Sequence, residues 1–143
     1  MPIKSIFESL QEAKKRIENL SVEQLKEEQA SNADLLLLDI REIQEWVDLG
    51  TIPGSKHAPR GMLEFWADPS SPYARDWFRE DRRTVLFCAG GGRSVLGVLA
   101  LRDMGFTNVA HLEQGFGGWQ KAGEPVEDTS STSRWVRRPK PGE

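Results

Sequence analysis

The chain reads as one α/β domain built on a mostly parallel sheet, and three features of its 143 residues predict this. First, Leu35–Leu38 and Thr84–Phe87 are continuous apolar runs without polar alternation. Such runs suit strands covered on both faces, as in a parallel sheet. Second, Asn108–Leu112 reads as a further strand. Third, helical stretches at Glu42–Leu49, Val95–Met104 and Gly117–Ala122 follow these runs in turn. Strand, helix, strand, helix is the order of a parallel sheet with crossover helices. The length fits one compact domain.

The elements follow in order. Ser5 and Glu8 fit a helix capping box, and Ile6, Leu10, Ala13, Ile17 and Leu20 recur at helical spacing. Residues 1–19 therefore read as an amphipathic helix, expected to pack on its own domain. Ser21 and Gln24 repeat the capping pattern before a second helix through about Ala30. Ser31–Asp34 is a turn cluster. Gly50 stops the helix that begins at Glu42, Ile52–Gly54 is a turn, and Lys56–Ala58 is a short strand stopped by Pro59. The aromatic-rich stretch 61–81 predicts two helices separated by Asp68–Pro72. Its Trp66 and Trp77, with Trp135, are candidates for a partner surface, although in a chain this small a Trp more often joins the core. Gly105 is a suitable residue to follow the helix ending at Met104. Residues 127–143 read as a mobile tail, or one pinned by Trp135.

Composition excludes several classes. Lys plus Arg number 19 against 22 Asp plus Glu, a net charge of -3, which lacks the basic field of a nucleic-acid binder. The apolar runs at 35–38 and 95–101 are too short to span a bilayer, and no signal-peptide pattern opens the chain. A cytoplasmic protein with no membrane or nucleic-acid partner is expected. One cysteine excludes an intrachain disulfide and a multi-thiolate zinc site, and no metal or other cofactor is expected.

The strongest feature is Cys88, which ends the run Thr84–Phe87 and precedes Ala89-Gly90-Gly91-Gly92-Arg93-Ser94. Ligands of open parallel sheets gather at the carboxyl ends of strands. Glycines let a tight loop form and let backbone N–H groups converge, and a helix N-terminus beside them makes an anion cradle. The helix terminus alone favours a thiolate by about 0.3–1 kcal/mol, and the amides add to that. A lone cysteine at a strand end is otherwise a small buried hydrophobe. The three glycines and the helix after them favour a nucleophile.

The loop Cys88-Ala89-Gly90-Gly91-Gly92-Arg93-Ser94 resembles the C-x-x-G-x-R-S active-site pattern of single-domain rhodanese-like sulfurtransferases. Asp39-Ile40-Arg41, Glu45-Trp46 and Gly50–Ser55 resemble that family's D-[VI]-R, E-[FYW] and G-H-I-x-G-A elements. Gly105–Val109, Gly115, Trp119 and Ala122–Val126 resemble its C-terminal signature, and the match covers about 20–126. The resemblance implies a three-layer α/β/α domain around about five strands. It also implies a two-step reaction. Cys88 takes a sulfane sulfur from a small donor as a persulfide, and a thiol, a protein cysteine or another nucleophile then removes it. In that scheme the N–H groups from Ala89 through Ser94 cradle the terminal sulfur.

Other residues have two uses open to them. Arg93 either points at the donor's anionic end or braces the loop against Asp39 or a carbonyl. Ser94 is expected to cap the following helix. Asp39 and Arg41 are expected to form a structural pair, and Arg60 is a candidate for the pocket. His57 and His111 read as ordinary histidines in or beside strands. The sequence departs from the family's pattern at Ala89 and Gly90, which are not basic, at Thr51 in place of His, and at Gln114 in place of Gly. Two other readings of the chain compete. A non-catalytic binding module keeps the fold without the chemistry. A cysteine phosphatase or arsenate reductase needs C-x5-R, whereas here four residues separate Cys88 from Arg93.

Overall fold

The computed structural model describes residues 2–135 and 137–139. Among them, β1 (Glu18–Leu20), β2 (Leu36–Asp39), β3 (Lys56–His57), β4 (Thr84–Phe87) and β5 (Val109–Leu112) form one sheet in the order β1-β5-β4-β2-β3. Every neighbouring pair in it is parallel. The continuous apolar runs are strands because both faces are covered. Leu36, Leu38, Leu86 and Cys88 point to one face, and Leu37, Val85 and Phe87 to the other. The first face packs against α4 (Leu63–Ala67) and α5 (Gly92–Met104), through Leu63, Ala67, Val98 and Leu101. The second packs against α2 (Val22–Ser31) and α6 (Gly115–Lys121), through Val22, Leu25, Phe116 and Trp119. The result is three layers, α/β/α.

The first helix is shorter than its apolar spacing predicts. Ile6–Lys14 forms α1, and residues 18–20 leave it to form β1. Asn19 Nδ2 donates to Lys14 O and Ile17 O at 2.9 and 3.1 Å. It takes up a carbonyl that the end of α1 leaves free. The Ser5 side chain makes no capping bond, whereas the box predicted at Ser21 and Gln24 forms in both directions. Leu10 and Ala13 of α1 pack on Val95 of α5, so this helix covers its own domain.

One further expectation is corrected. The stretch 61–81 forms a 3-10 turn at Arg60–Met62 and only one helix, α4; turns follow. Its aromatics are placed by core packing rather than helical periodicity. Phe78 is buried, and Trp66 and Trp77 pack against the core around it. The segment after residue 126 is held from its start. Thr51 and Glu127 exchange backbone bonds at 3.0 and 2.9 Å, and the Thr129 hydroxyl donates to Trp46 O of α3 (Ile43–Leu49). Arg138 bonds Asp48 of α3, and Trp135 is half exposed. Val136 and residues 140–143 of the predicted tail lie outside the described residues. No helix among those residues is long and apolar enough to cross a membrane.

The chain leaving β2 turns on a buried ion pair. Arg41 Nε and Nη2 donate to the two Asp39 carboxylate oxygens at 3.0 and 2.7 Å, and Nη2 also donates to Gly50 O at 2.6 Å. Thr51 Oγ1 donates to Asp39 at 2.7 Å, so this residue works as a link in the pair. The Arg41 guanidinium lies 4.2 Å from the centre of the Phe116 ring. Both charged side chains are fully buried, and each depends on the other for its partner. Removing one partner of a buried pair costs about 3–5 kcal/mol because the other charge is left uncompensated. Arg41→Ala is expected to lower unfolding free energy by about that amount, measured by urea denaturation. A loss below about 1 kcal/mol would place the pair among weakly coupled surface bridges.

Candidate active site

Cys88 follows the last residue of β4 and is 1% exposed. Its carbonyl and that of Ala89 accept from Phe116 N and Gly117 N of α6 at 2.8 and 3.0 Å. With these carbonyls tied outward, the chain curls back over the sulfur. Gly91 N donates to Cys88 Sγ at 3.1 Å. Helix α5 starts at Gly92, three residues earlier than its apolar run predicts, so Gly92, Arg93 and Ser94 form its first turn. The N–H groups of that turn have no partner within the helix and carry its positive end.

Two glycines are required by backbone contact. Gly91 has φ +104°, and a Cβ there would lie 2.1 Å from Glu113 O. Gly115 has φ +64°, and its Cβ would lie 2.5 Å from Ala89 O. The loop and the β5–α6 turn therefore interlock main chain to main chain. Gly90 has open space at its Cβ position. Gln114, in the helical region just before α6, needs no glycine there.

The charged residues of the motif make their bonds to other protein groups. Arg93 binds Glu45 of α3 with both arms, Nη1 to Oε1 at 2.6 Å and Nη2 to Oε2 at 3.0 Å. It braces the loop as one of its two expected uses, but against Glu45 rather than Asp39. The Arg93 bond holds the Glu45 carboxyl below its usual range against the opposing effect of burial. Glu45 in turn raises Arg93 further above its already high value, with a smaller push from Cys88. Arg60 pairs with Glu64 at 2.6 Å and sits beside Arg16, Leu96 and Arg102 on the outer side of α5. Asp39 and Arg41 are the buried pair described above, and support the turn after β2.

Ser94 does not cap α5; Gly91 occupies that position. Its hydroxyl lies 3.6 Å from Cys88 Sγ and 2.7 Å from His111 Nδ1. His111 is fully buried, and burial first, then Lys14, pushes its pKa down to about 4. The sequence gives this histidine no motif partner; the fold does. In the β4–β5 register Leu86 pairs with His111, which puts His111 on the Cys88 face one step below the loop. His57 instead stacks on Trp46 and bonds Arg41 O.

Over the loop lies a shallow depression of about 570 Å³, lined by Ala89, Gly90, Gly117, Gly118, Lys14 and Lys121 among others. Positions 89 and 90 bring no cation, but α1 and α6 bring one each. A more apolar cleft of about 650 Å³, with Phe78, Arg79 and Phe106, lies where the chain enters β5, at the opposite end of the strands from the loop. It contains no nucleophile.

The arrangement joins a buried thiol, a helix N-terminus and a glycine loop at the carboxyl end of a central parallel strand. Comparison with known proteins agrees with that class: the rhodanese-like domain model matches residues 21–122, and the chain belongs to this family. It is 30% identical over 95 residues to the "Probable adenylyltransferase/sulfurtransferase MoeZ" of Mycobacterium tuberculosis, covering 66% of this chain and 22% of that protein. The chain thus spans about a fifth of that relative's length. A solved thiosulfate sulfurtransferase from Pseudomonas aeruginosa superposes with TM-score 0.69 and 28% identity, covering 93% of this chain and 23% of the other. A Rhodopseudomonas palustris protein of unknown function, described as a possible tyrosine phosphatase, superposes with TM-score 0.81 and 46% identity, covering 89% and 99%.

The interlock is testable apart from function. Gly91→Ala is expected to lower stability by about 1–3 kcal/mol, the cost of a strained left-handed residue, with the clash on Glu113 adding to it. Gly90→Ala should stay within about 0.5 kcal/mol of the parent. Equal effects at the two positions in urea melts would show that the loop is not held by that contact.

Proposed function

We propose that this chain is a sulfurtransferase that carries sulfane sulfur on Cys88 as a persulfide. The observation that carries the reading is the Cys88 sulfur under the Gly91 N–H at the N-terminus of α5. A short loop there offers amides to one added sulfur atom. The family match and the relatives named as sulfurtransferases support the same chemistry.

The reaction runs in two displacements. Cys88 Sγ attacks the outer sulfur of a donor such as thiosulfate. A new S–S bond forms at Cys88, the donor's S–S bond breaks, and its electron pair leaves with sulfite. The thiol proton passes to the leaving group or to water. The terminal persulfide sulfur is an anion at neutral pH, held by the loop N–H groups and the helix terminus. An acceptor nucleophile then takes that sulfur, and Cys88 Sγ departs with the bonding pair. The chain has one cysteine, so an acceptor thiol comes from outside this sequence. Lys14 and Lys121, against the one carboxylate of Glu113 in the same lining, favour an anionic donor in place of the basic loop residues that are absent. The proposed setting is cytoplasmic, with a small sulfur donor and a small thiol or protein cysteine as partners.

The phosphatase reading draws on the Rhodopseudomonas palustris description. It fits the loop less well. A phosphoryl group needs a larger ring of amides and an arginine turned toward it. Here four residues separate Cys88 from Arg93, and both arms of Arg93 are on Glu45.

Intact mass of the reduced protein before and after thiosulfate tests the proposal. The expected result is a gain of roughly 32 Da, one sulfur atom, removed by cyanide and absent in Cys88→Ala. No gain with thiosulfate, mercaptopyruvate or polysulfide, together with hydrolysis of a phosphate ester that depends on Cys88, would transfer the site to the phosphatase class.

A further inference from the structure

A row of hydrogen bonds, buried from His111 inward, leads from β1 to the Cys88 sulfur, and its direction can be read link by link. Asn19 pairs with His111 in the β1–β5 register, which places the two side chains on one face. The Asn19 amide nitrogen donates to Lys14 O and Ile17 O. That orientation is forced, because the carbonyl end of the amide cannot face two other carbonyls. Asn19 Oδ1 therefore faces His111 Nε2, at 2.7 Å, as an acceptor. His111 Nε2 must carry the hydrogen. Burial keeps this imidazole neutral over the physiological range, so Nδ1 is a bare lone pair. Ser94, 2.7 Å away, can satisfy Nδ1 only by donating its hydroxyl hydrogen. What Ser94 then turns toward Cys88 is an oxygen lone pair. Across 3.6 Å it accepts the S–H of the thiol.

We infer that His111, fixed by Asn19, is a positioning residue that turns the Ser94 hydroxyl hydrogen away from Cys88 and so withholds one hydrogen-bond donor from the Cys88 sulfur. A thiol gives Ser94 a hydrogen; a thiolate would meet its lone pair. The resting sulfur thereby lacks one hydrogen-bond donor that a thiolate would use. It gives up its proton when the S–S bond forms, a consequence that rests on the sulfur-transfer reading, whereas the direction of the hydroxyl does not.

The charges around the sulfur do not alter the direction of the Ser94 hydroxyl. From α5, Arg93 is bonded to Glu45 of α3, and its charge also acts on Cys88. From α1, Lys14 disfavours a proton on His111. From the turn after β5, Glu113 presents an exposed carboxylate and gives the loop contact through its backbone. The Gly91 N–H and the positive end of α5 favour the thiolate, and the Ser94 lone pair works against them.

The test is the pH profile of Cys88 alkylation by iodoacetamide, which needs no sulfur transfer. His111→Phe removes the acceptor and frees the Ser94 hydroxyl to donate to the thiolate. Alkylation at pH 7 should become roughly tenfold faster, with the half-maximal pH falling by about one unit. His111→Asn puts a side-chain carbonyl near the place of Nδ1 and should stay within about twofold of the parent, as a fixed acceptor requires. A purely structural role predicts the opposite for His111→Phe, slower or unchanged alkylation, and that result would overturn the inference. Nitrogen-15 shifts of the His111 ring in the unmutated protein give a readout independent of any variant's folding. A neutral ring with the hydrogen on Nε2 from pH 6 to 8 is expected, and a hydrogen on Nδ1 would refute the direction of the row. If the profile behaves as stated but no donor loads sulfur, the sulfur-transfer reading fails and the positioning role stands.

Discussion

The site depends on two backbone segments that touch where β4 and β5 end. Gly91 leans on the carbonyl of Glu113, and Gly115 on that of Ala89. Neither contact leaves room for a Cβ, and both glycines have positive φ. The carbonyls of Cys88 and Ala89 are drawn outward to α6. The chain beyond them has to curl back, which puts the Gly91 N–H on the sulfur and starts α5 at once. The interlock thus folds the end of a buried strand back over the sulfur.

That division of labour extends to the charged side chains. Asp39 and Arg41 pair under the turn after β2, and Arg93 and Glu45 tie α5 to α3. The bonds that both pairs make go to protein groups, while Arg41 Nη1 has no partner among the described residues. The described groups at the sulfur are the Gly91 N–H, the start of α5 and the Ser94 hydroxyl. Such dipoles are fixed by the fold and need no rearrangement when charge appears. The lysines, at the rim of the depression rather than beside the sulfur, can attract an anion without clamping it.

Much of this was legible in the sequence where local pattern and final environment agree. The apolar runs at 35–38 and 84–87 became strands because both sheet faces are covered, and the loop was visible as three glycines between a strand and a helix. Legibility failed where tertiary contacts decide. Ile17 and Leu20 have helical spacing, yet three residues of that stretch complete the sheet edge beside β5. The aromatics of 61–81 suggest helices, but core packing holds most of the segment in turns. His111 carries no local signal at all. Only strand parity, once the register with β4 is known, turns it toward Ser94. Lys14 and Lys121 were hidden in the same way, since they come to the loop from helices remote in sequence.

A crystal structure of the thiosulfate-treated protein, solved beside the reduced form, tests the central claim most directly. The account predicts one added atom bonded to Cys88 Sγ, lying within hydrogen-bonding distance of the loop N–H groups, with Arg93 still on Glu45. A sulfur bound away from the loop amides, or Arg93 swung from Glu45 onto a bound oxyanion beside an unmodified Cys88, would contradict it.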